Sequence, residues 1–312
     1  MGPHFCDLNL TILSHAGADM NKQTQRMAVC LIAIVALIAL AAPSLKSQSS
    51  SSTQQPESFQ RSFNITPRGI LHVDNYKGTI HVTGSDGNQV VVDVTKRFDG
   101  SDADRKRWLE NLEVNFHNDP DRVAVEVKYP QWNCVFCWEG HDYTAQVDLE
   151  IRVPRQINVT LESYKPDIKV ASVQGDIRIK SYKSPIIIDS TTGSIRIDTY
   201  KDTVKLNNVT LRGPLEIKSY KADAEVNARA LGETADLESD KGTIVLRVPQ
   251  NTGLNVDYEG GRHSSFHSDF SLNVQAGRLD NSVHGTINQG GTKLRLRTEK
   301  GSVTLETLPG QN

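Results

Sequence analysis

"ESYKPDIKV" (residues 162–170) returns along the chain as "KSYKSPIII" (180–188), "DTYKDTVKL" (198–206), "KSYKADAEV" (218–226) and "ESDKGTIVL" (238–246). Two outlying copies stand at 74–82, "DNYKGTIHV", and 297–305, "RTEKGSVTL". The inner copies place Tyr164, Tyr182, Tyr200 and Tyr220 in one phase, with Asp240 in the next slot, at spacings of 18, 18, 20 and 20 residues. A fixed period near 20 marks stacked units. Each unit holds two short runs in which apolar and polar residues alternate, as in a half-buried strand. "DIRIK" (176–180) and "SIRID" (194–198) precede the tyrosine; "DIKV" (167–170) and "TVKL" (203–206) follow it. Gly175, Gly193, Gly213 and Gly232 recur between the runs and read as turn residues.

A unit this short cannot enclose a core alone, but a stack of them can. Ile177, Ile195, Leu215 and Ala235 would form one inward column, and Ile179, Ile197, Ile217 and Leu237 another. The competing arrangement is an antiparallel sandwich, which also uses short strands. One column separates the two. Glu162, Lys180, Asp198, Lys218 and Glu238 alternate in sign, so in-register stacking would set each charge against its opposite. The expected fold is therefore all-β: a parallel β-solenoid of 18–20 residue coils over 161–312. Each coil would turn at Ser-Tyr-Lys, with the small Ser inside and the Tyr rings stacked along the edge.

Residues 61–160 are less regular and read as a mixed β region with one short helix, continuous with the solenoid. Strands are expected in 69–84 and 88–98. Residues 121–130 and 143–154 read as a strand pair. "SDADRKRWLENLEV" (101–114) is the helical signal, capped by Ser101 or Asp102, with Trp108, Leu109 and Leu112 on one face. "GGRHSSFHSDF" (260–270) reads as an exposed excursion.

The "GxIxV" strands, the glycine-punctuated coils and the closing "EKGSVTLE" resemble the bacterial "putative adhesin" domains over about 69–307. That resemblance implies a β-solenoid domain of unknown function in an exported or membrane-anchored protein. The loop at 130–142 departs from the pattern.

Ahead of the folded part, "MAVCLIAIVALIALAA" (27–42) has no charged side chain and follows Lys22 and Arg26. A basic start, an apolar run and "ALA" at 39–41 describe a secretory signal peptide. An uncleaved membrane anchor is the alternative, although 16 residues are few for a span of about 20. Met20 is an alternative start. The Ser/Gln-rich stretch at 43–60 is expected to be a disordered linker. Such a protein would be exported to the periplasm or cell surface and touch the membrane only through its N-terminal segment. A net charge of -2 gives no general case for nucleic acid.

"YPQWNCVFCWEGHDY" (129–143) is the densest chemical candidate. Cys134 and Cys137 form C-x-x-C. In an oxidising compartment they read as a disulfide. A redox role would want a helix N-terminus, and zinc would need ligands beyond His141. Trp132, Phe136 and Trp138 either pack on the sheet or form an exposed platform for a sugar or partner. Lys165, Lys183, Lys201, Lys221 and Lys241 follow the tyrosines and should splay into water as a solvated edge, or act as a basic strip for an anionic polymer. His263 and His267 have zinc spacing only on a helix. No G-x-S-x-G, H-E-x-x-H or phosphate-binding loop is present. The reading is a non-enzymatic exported adhesin-like module for cell-envelope or surface interaction, without catalytic or metal residues or a cofactor. Its partner would be an envelope polymer, a glycan or a protein. The alternative is a carbohydrate-active enzyme or polysaccharide-binding protein on the same scaffold.

Overall fold

Residues of the repeat stack in register, each phase of one coil hydrogen-bonded to the same phase of the next. The computed structural model describes residues 57–100, 102–130, 145–274 and 281–310. Strands β8 (Asn158–Ser163) and β9 (Asp167–Ala171) make one coil, and β10 (Ile177–Lys183) and β11 (Ile186–Asp189) the next. β12 (Thr192–Ala230) runs through two coils without a break, and β13 (Thr234–Ser239) with β14 (Ile244–Val248) follows. Every pairing among them is parallel: Ile177 meets Val159 and Ile195, Ile186 meets Ile168 and Val204, and Leu237 meets Ile217. The inward columns close one continuous core, with Ile177, Ile179, Ile195, Ile197, Leu215, Ile217, Ala235 and Leu237 all buried. Each large aliphatic side chain so buried contributes about 1.5–3 kcal/mol. That gain replaces what an 18–20 residue unit lacks by itself.

The coils do not follow chain order at either end. β2 (Ile70–Asn75) and β3 (Gly78–Ser85) carry the first outlying copy. They lie between β8/β9 on one side and β6 (Arg122–Lys128) with β7 (Ala145–Pro154) on the other, all in parallel. At the other end β18 (Thr292–Thr307), carrying the last copy, lies between β13/β14 and β15 (Leu254–Ser268), again in parallel. Both outlying copies are therefore internal coils. Antiparallel strands cover the ends: β4 (Gln89–Phe98) on β7 with β1 (Glu57–Asn64) on β4, and β5 (Glu113–Asp119) on β6. At the far end β17 (Ser282–Ile287) covers β15, and β16 (Leu272–Val274) covers β17. Such caps shield parallel edges that would otherwise template further pairing.

Several expectations change. Residues 121–130 and 143–154 pair with β2/β5 and β3/β4 respectively rather than with each other, because the intercalated copy occupies the place between them and the coils. Residues 260–270 are no excursion: 263–268 continue β15 against β18 after a register shift at Gly260–His263. Glu57 to Gln60, expected in the linker, belong to β1, where Lys96 to Asp93 supply their partners. The boundary drawn at 160/161 falls inside β8. The helix is α1, Asp102–Asn111; its Trp108 packs against Phe98 at 6.3 Å, and Leu112 just beyond is buried.

The recurring glycines serve close approach between coils more than turning. A Cβ on Gly193, whose φ is 148°, would stand 2.1 Å from the Gly175 carbonyl oxygen, and one on Gly175 would stand 2.1 Å from that of Ile157. Backbone meets backbone there, and only hydrogen fits.

The N-terminal apolar run, its cleavage site and the rest of the linker lie outside the described residues. Among the described residues no helix is long and apolar enough to cross a membrane.

Candidate functional site

At the corner of the coils the residue before each tyrosine points inward and the tyrosine points out. The inward column is polar: Asn75, Ser181, Thr199, Ser219, Ser239 and Thr298 are all buried. Small side chains let the chain bend tightly, and most of these bond to nearby backbone. Asn75 Nδ2 donates to the Val147 carbonyl at 2.8 Å, and Ser239 Oγ to that of Ala222 at 2.9 Å. The outward column is a ladder of parallel rings. Centroids are 4.7 Å apart for Tyr76–Tyr164, 4.8 Å for Tyr164–Tyr182 and Tyr182–Tyr200, and 5.1 Å for Tyr200–Tyr220. Interplanar angles are 12°, 10°, 12° and 21° in the same order. The strand spacing of about 4.8 Å dictates this distance. Tyr129 closes one end edge-on to Tyr76, at 5.7 Å and 60°, its hydroxyl donating to the Lys77 carbonyl at 2.7 Å.

The residue after each tyrosine builds the second column. Lys183 stands in register with Lys201, and Lys241 with Lys300. The Lys165 amide donates to the Tyr76 carbonyl, that of Lys183 to Tyr164 and that of Lys241 to Tyr220. The five expected lysines, 165, 183, 201, 221 and 241, are thus one column, and the intercalated coils extend it to Lys77 and Lys300. His263, paired with Lys300, stands next in line.

These lysines do not simply splay into water. The ammonium groups of Lys183 and Lys221 lie 5.2 and 5.3 Å from the centroids of their own tyrosine rings. Lys241 Nζ lies 4.7 Å from the Tyr220 centroid and donates to its hydroxyl at 2.7 Å. The ladder's π-electrons attract the cations that mutual repulsion would scatter. The Lys241 hydrogen bond holds the Tyr220 phenol below its ordinary pKa.

The charge column two residues before the tyrosines stacks as its alternation requires. Lys180 is in register with Glu162 and Asp198, and Lys218 with Glu238. Arg297 and Glu259 continue the alternation, and Arg297 bonds Glu259 at 2.8 Å. At the other end it fails, since Glu126, Asp74 and Glu162 are consecutive. Partial burial, then Glu162 and Glu126, raise the Asp74 pKa. Asp74 and Glu162, with Tyr76, Tyr129, Tyr164 and Lys180, border a shallow depression of about 490 Å³. Among the described residues no group of three or more His, Cys, Asp or Glu is placed to hold a metal ion. His263 and His267 sit on a strand, where four residues span about 13 Å.

Trp132, Cys134, Phe136, Cys137, Trp138 and His141 lie outside the described residues. Of the site residues that do appear, the sequence missed Lys77, Lys300 and Tyr76 as members of the columns. The outlying copies carry all three, but nothing in their spacing says where they enter the stack. Tyr129 lies outside the repeat and gave no signal.

Residues 156–306 match the family model described as Toastrack DUF4097. Several solved structures are similar, among them the following three. A "putative cell adhesion protein" from Clostridium sporogenes shares 9% identity over 81% of this chain and 100% of its own, with a TM-score of 0.41. A "putative adhesin" from Bacteroides fragilis shares 11% over 80% and 97%, at 0.39. One from Parabacteroides distasonis shares 9% over 80% and 97%, at 0.40. No curated protein matches the chain.

Proposed function

We propose that this chain, whose residues 156–306 match the Toastrack family model, is a non-catalytic, exported adhesin-like module that engages a component of the cell envelope or surface along its tyrosine–lysine edge. The observation that carries this reading is a contrast of columns. Charges two residues before the tyrosines alternate from Glu162 onward and meet their opposites, whereas those one residue after are lysine from Lys77 to Lys300. Stacked like charges cost stability. Neighbouring cations about 5 Å apart repel by roughly 0.8 kcal/mol even at the dielectric constant of water. A surface that bears this cost coil after coil suits a binding role better than a packing one. The basic and apolar N-terminal stretch at 20–42 supports export.

A second reading is carbohydrate cleavage, favoured by the Glu126–Asp74–Glu162 column. Carboxylates on neighbouring strands are near the separation of about 5–5.5 Å that a retaining glycosidase uses. Against it, all three project from one sheet face, side by side, so a glycosidic bond would meet them from the same side. The aromatic loop with Trp132, Phe136 and Trp138, which the C-x-x-C pair Cys134 and Cys137 would staple, is a further contact candidate.

The test is an array of glycans and envelope polymers probed with the full chain and three variants. Under this proposal Lys183→Gln/Lys201→Gln/Lys221→Gln loses the hits. Trp132→Ala/Trp138→Ala keeps them, and no polymer gains reducing ends on incubation. Chain cleavage that disappears in Asp74→Asn would establish the enzyme instead, and hits lost only in the double tryptophan variant would move recognition to the loop.

A further inference from the structure

Resting on the recognition reading above, we infer that the ligand of the edge is a linear, flexible polyanion laid lengthwise along the lysine column from Lys183 to Lys300. Three features narrow the chemistry.

The first is what the tyrosines withhold. With neighbours at 4.8 to 5.1 Å on both sides and nearly parallel, the rings of Tyr182 and Tyr200 have both faces covered. A sugar or a nucleobase that binds by stacking needs an open face. This ladder presents ring edges and hydroxyls instead. The hydroxyls of Tyr164, Tyr182 and Tyr200 have no hydrogen-bond partner among the described residues, so each can donate to an anionic oxygen. The edge therefore selects for oxygen-rich charge and against flat rings.

The second is the identity of the cations. Lys183, Lys201, Lys221, Lys241 and Lys300 form no ion pair with a carboxylate among the described residues, and none of the column is arginine. Arginine reads planar groups through two parallel bonds, whereas lysine is a point charge on a flexible stem. A row of lysines registers charge density along a line and tolerates small mismatches of repeat. Lys241 is docked on Tyr220 and can swing from that hydroxyl to a ligand oxygen.

The third is polarity. Glu126, Asp74 and Glu162 crowd the β6 end of the edge, beside Tyr76 and Tyr164. They repel an anion and limit the favourable track to the other five lysines. At about 4.8 Å per coil, four steps give a track of roughly 19 Å. Carboxylates farther off on the sheets are engaged by arginines, as Glu216 is by Arg196 and Glu306 by Arg247, whereas Asp240 and Glu299 hold the tyrosine slots beside Lys241 and Lys300 and offset part of the charge of those two coils, so Lys183, Lys201 and Lys221 carry most of the attraction.

The experiment is a titration of the full chain with inorganic polyphosphate of graded length, with orthophosphate and neutral dextran as controls and sodium polygalacturonate as a carboxylate-bearing counterpart. Affinity should rise with polyphosphate length and level off once the chain spans the five lysines. Lys183→Gln/Lys201→Gln/Lys221→Gln should weaken binding at least about tenfold and reduce the slope of log affinity against log salt by roughly three. The corresponding triple Lys→Arg variant should keep most of the affinity, which separates lost charge from lost folding. Tyr182→Phe/Tyr200→Phe should weaken binding more modestly. Binding of polygalacturonate but not polyphosphate supports the polyanion and assigns the charge as carboxylate. The inference is overturned if orthophosphate binds as tightly as the long chain, or if the triple Gln variant binds undiminished. It is also overturned if neither polyanion binds while array hits on neutral polymers persist; that last result would leave the recognition reading standing.

Discussion

The Tyr76 ring lies 4.7 Å from the Tyr164 ring and within 12° of parallel, although a helix and six strands separate the two along the chain. They stack because the first copy of the repeat is inserted into the solenoid next to the inner copies. The edge is therefore assembled from both ends of the domain inward.

Interior rungs of the ladder should be worth more than their exposure suggests. Tyr200 is 38% exposed yet stacks on both Tyr182 and Tyr220. An aromatic pair contributes about 0.5–1.5 kcal/mol beyond area burial. Tyr200→Ala should cost about 1–3 kcal/mol in urea unfolding, whereas Lys201→Ala should change stability by less than about 0.5 kcal/mol. Equal and negligible effects would mean the ladder contributes nothing to the fold.

Removing the last coil should abolish folding rather than shorten the molecule. An ordinary solenoid loses a terminal repeat and keeps the rest. Here deletion of 292–312 would open the edges of both β13/β14 and β15 and unpack Leu294, Leu296, Val303 and Leu305, all fully or nearly fully buried. Insoluble or unfolded protein by circular dichroism is the expected outcome. A soluble, cooperatively melting product would contradict the intercalated position of β18.

The architecture of the coils was readable because it repeats. Period, alternation and the Glu162–Lys180–Asp198–Lys218–Glu238 sequence of signs all constrain neighbours one period away. The ends were not readable, for a physical reason. A strand such as Gly78–Ser85 offers the same alternation to any parallel neighbour, and only the global packing decides between β9 and β7, both of which it receives. The same gap hid Lys77 and Lys300 from the lysine column. It also hid Glu126 and Asp74 from the charge column, so the run of three carboxylates could not be anticipated.

That run has a pH signature. The Asp74 pKa is raised by partial burial, Glu162 and Glu126, so the folded state holds this proton more tightly than the unfolded chain. The resulting destabilisation is present above the raised pKa and relieved as pH falls through it. Asp74→Asn should raise the melting temperature near pH 7, and the gain should shrink as pH is lowered into the carboxylate range. A gain that grows on acidification would reverse the assignment.

Coil 70–85 lies between coils 122–154 and 158–171, and only in that position do the ladder and the lysine column run unbroken past Tyr164. Disulfide trapping measures it directly. Asp74 is in register with both Glu162 and Glu126, within the Cα separation of about 4.4–6.8 Å that a disulfide tolerates, whereas Glu126 and Glu162 are two strand spacings, or roughly 10 Å, apart. Oxidised Asp74→Cys/Glu162→Cys and Asp74→Cys/Glu126→Cys chains should each yield the linked peptide by mass spectrometry, and Glu126→Cys/Glu162→Cys should not. Efficient linkage of 126 to 162, with none from 74 to either, would show that the coils stack in chain order and that the edge ends at Tyr164.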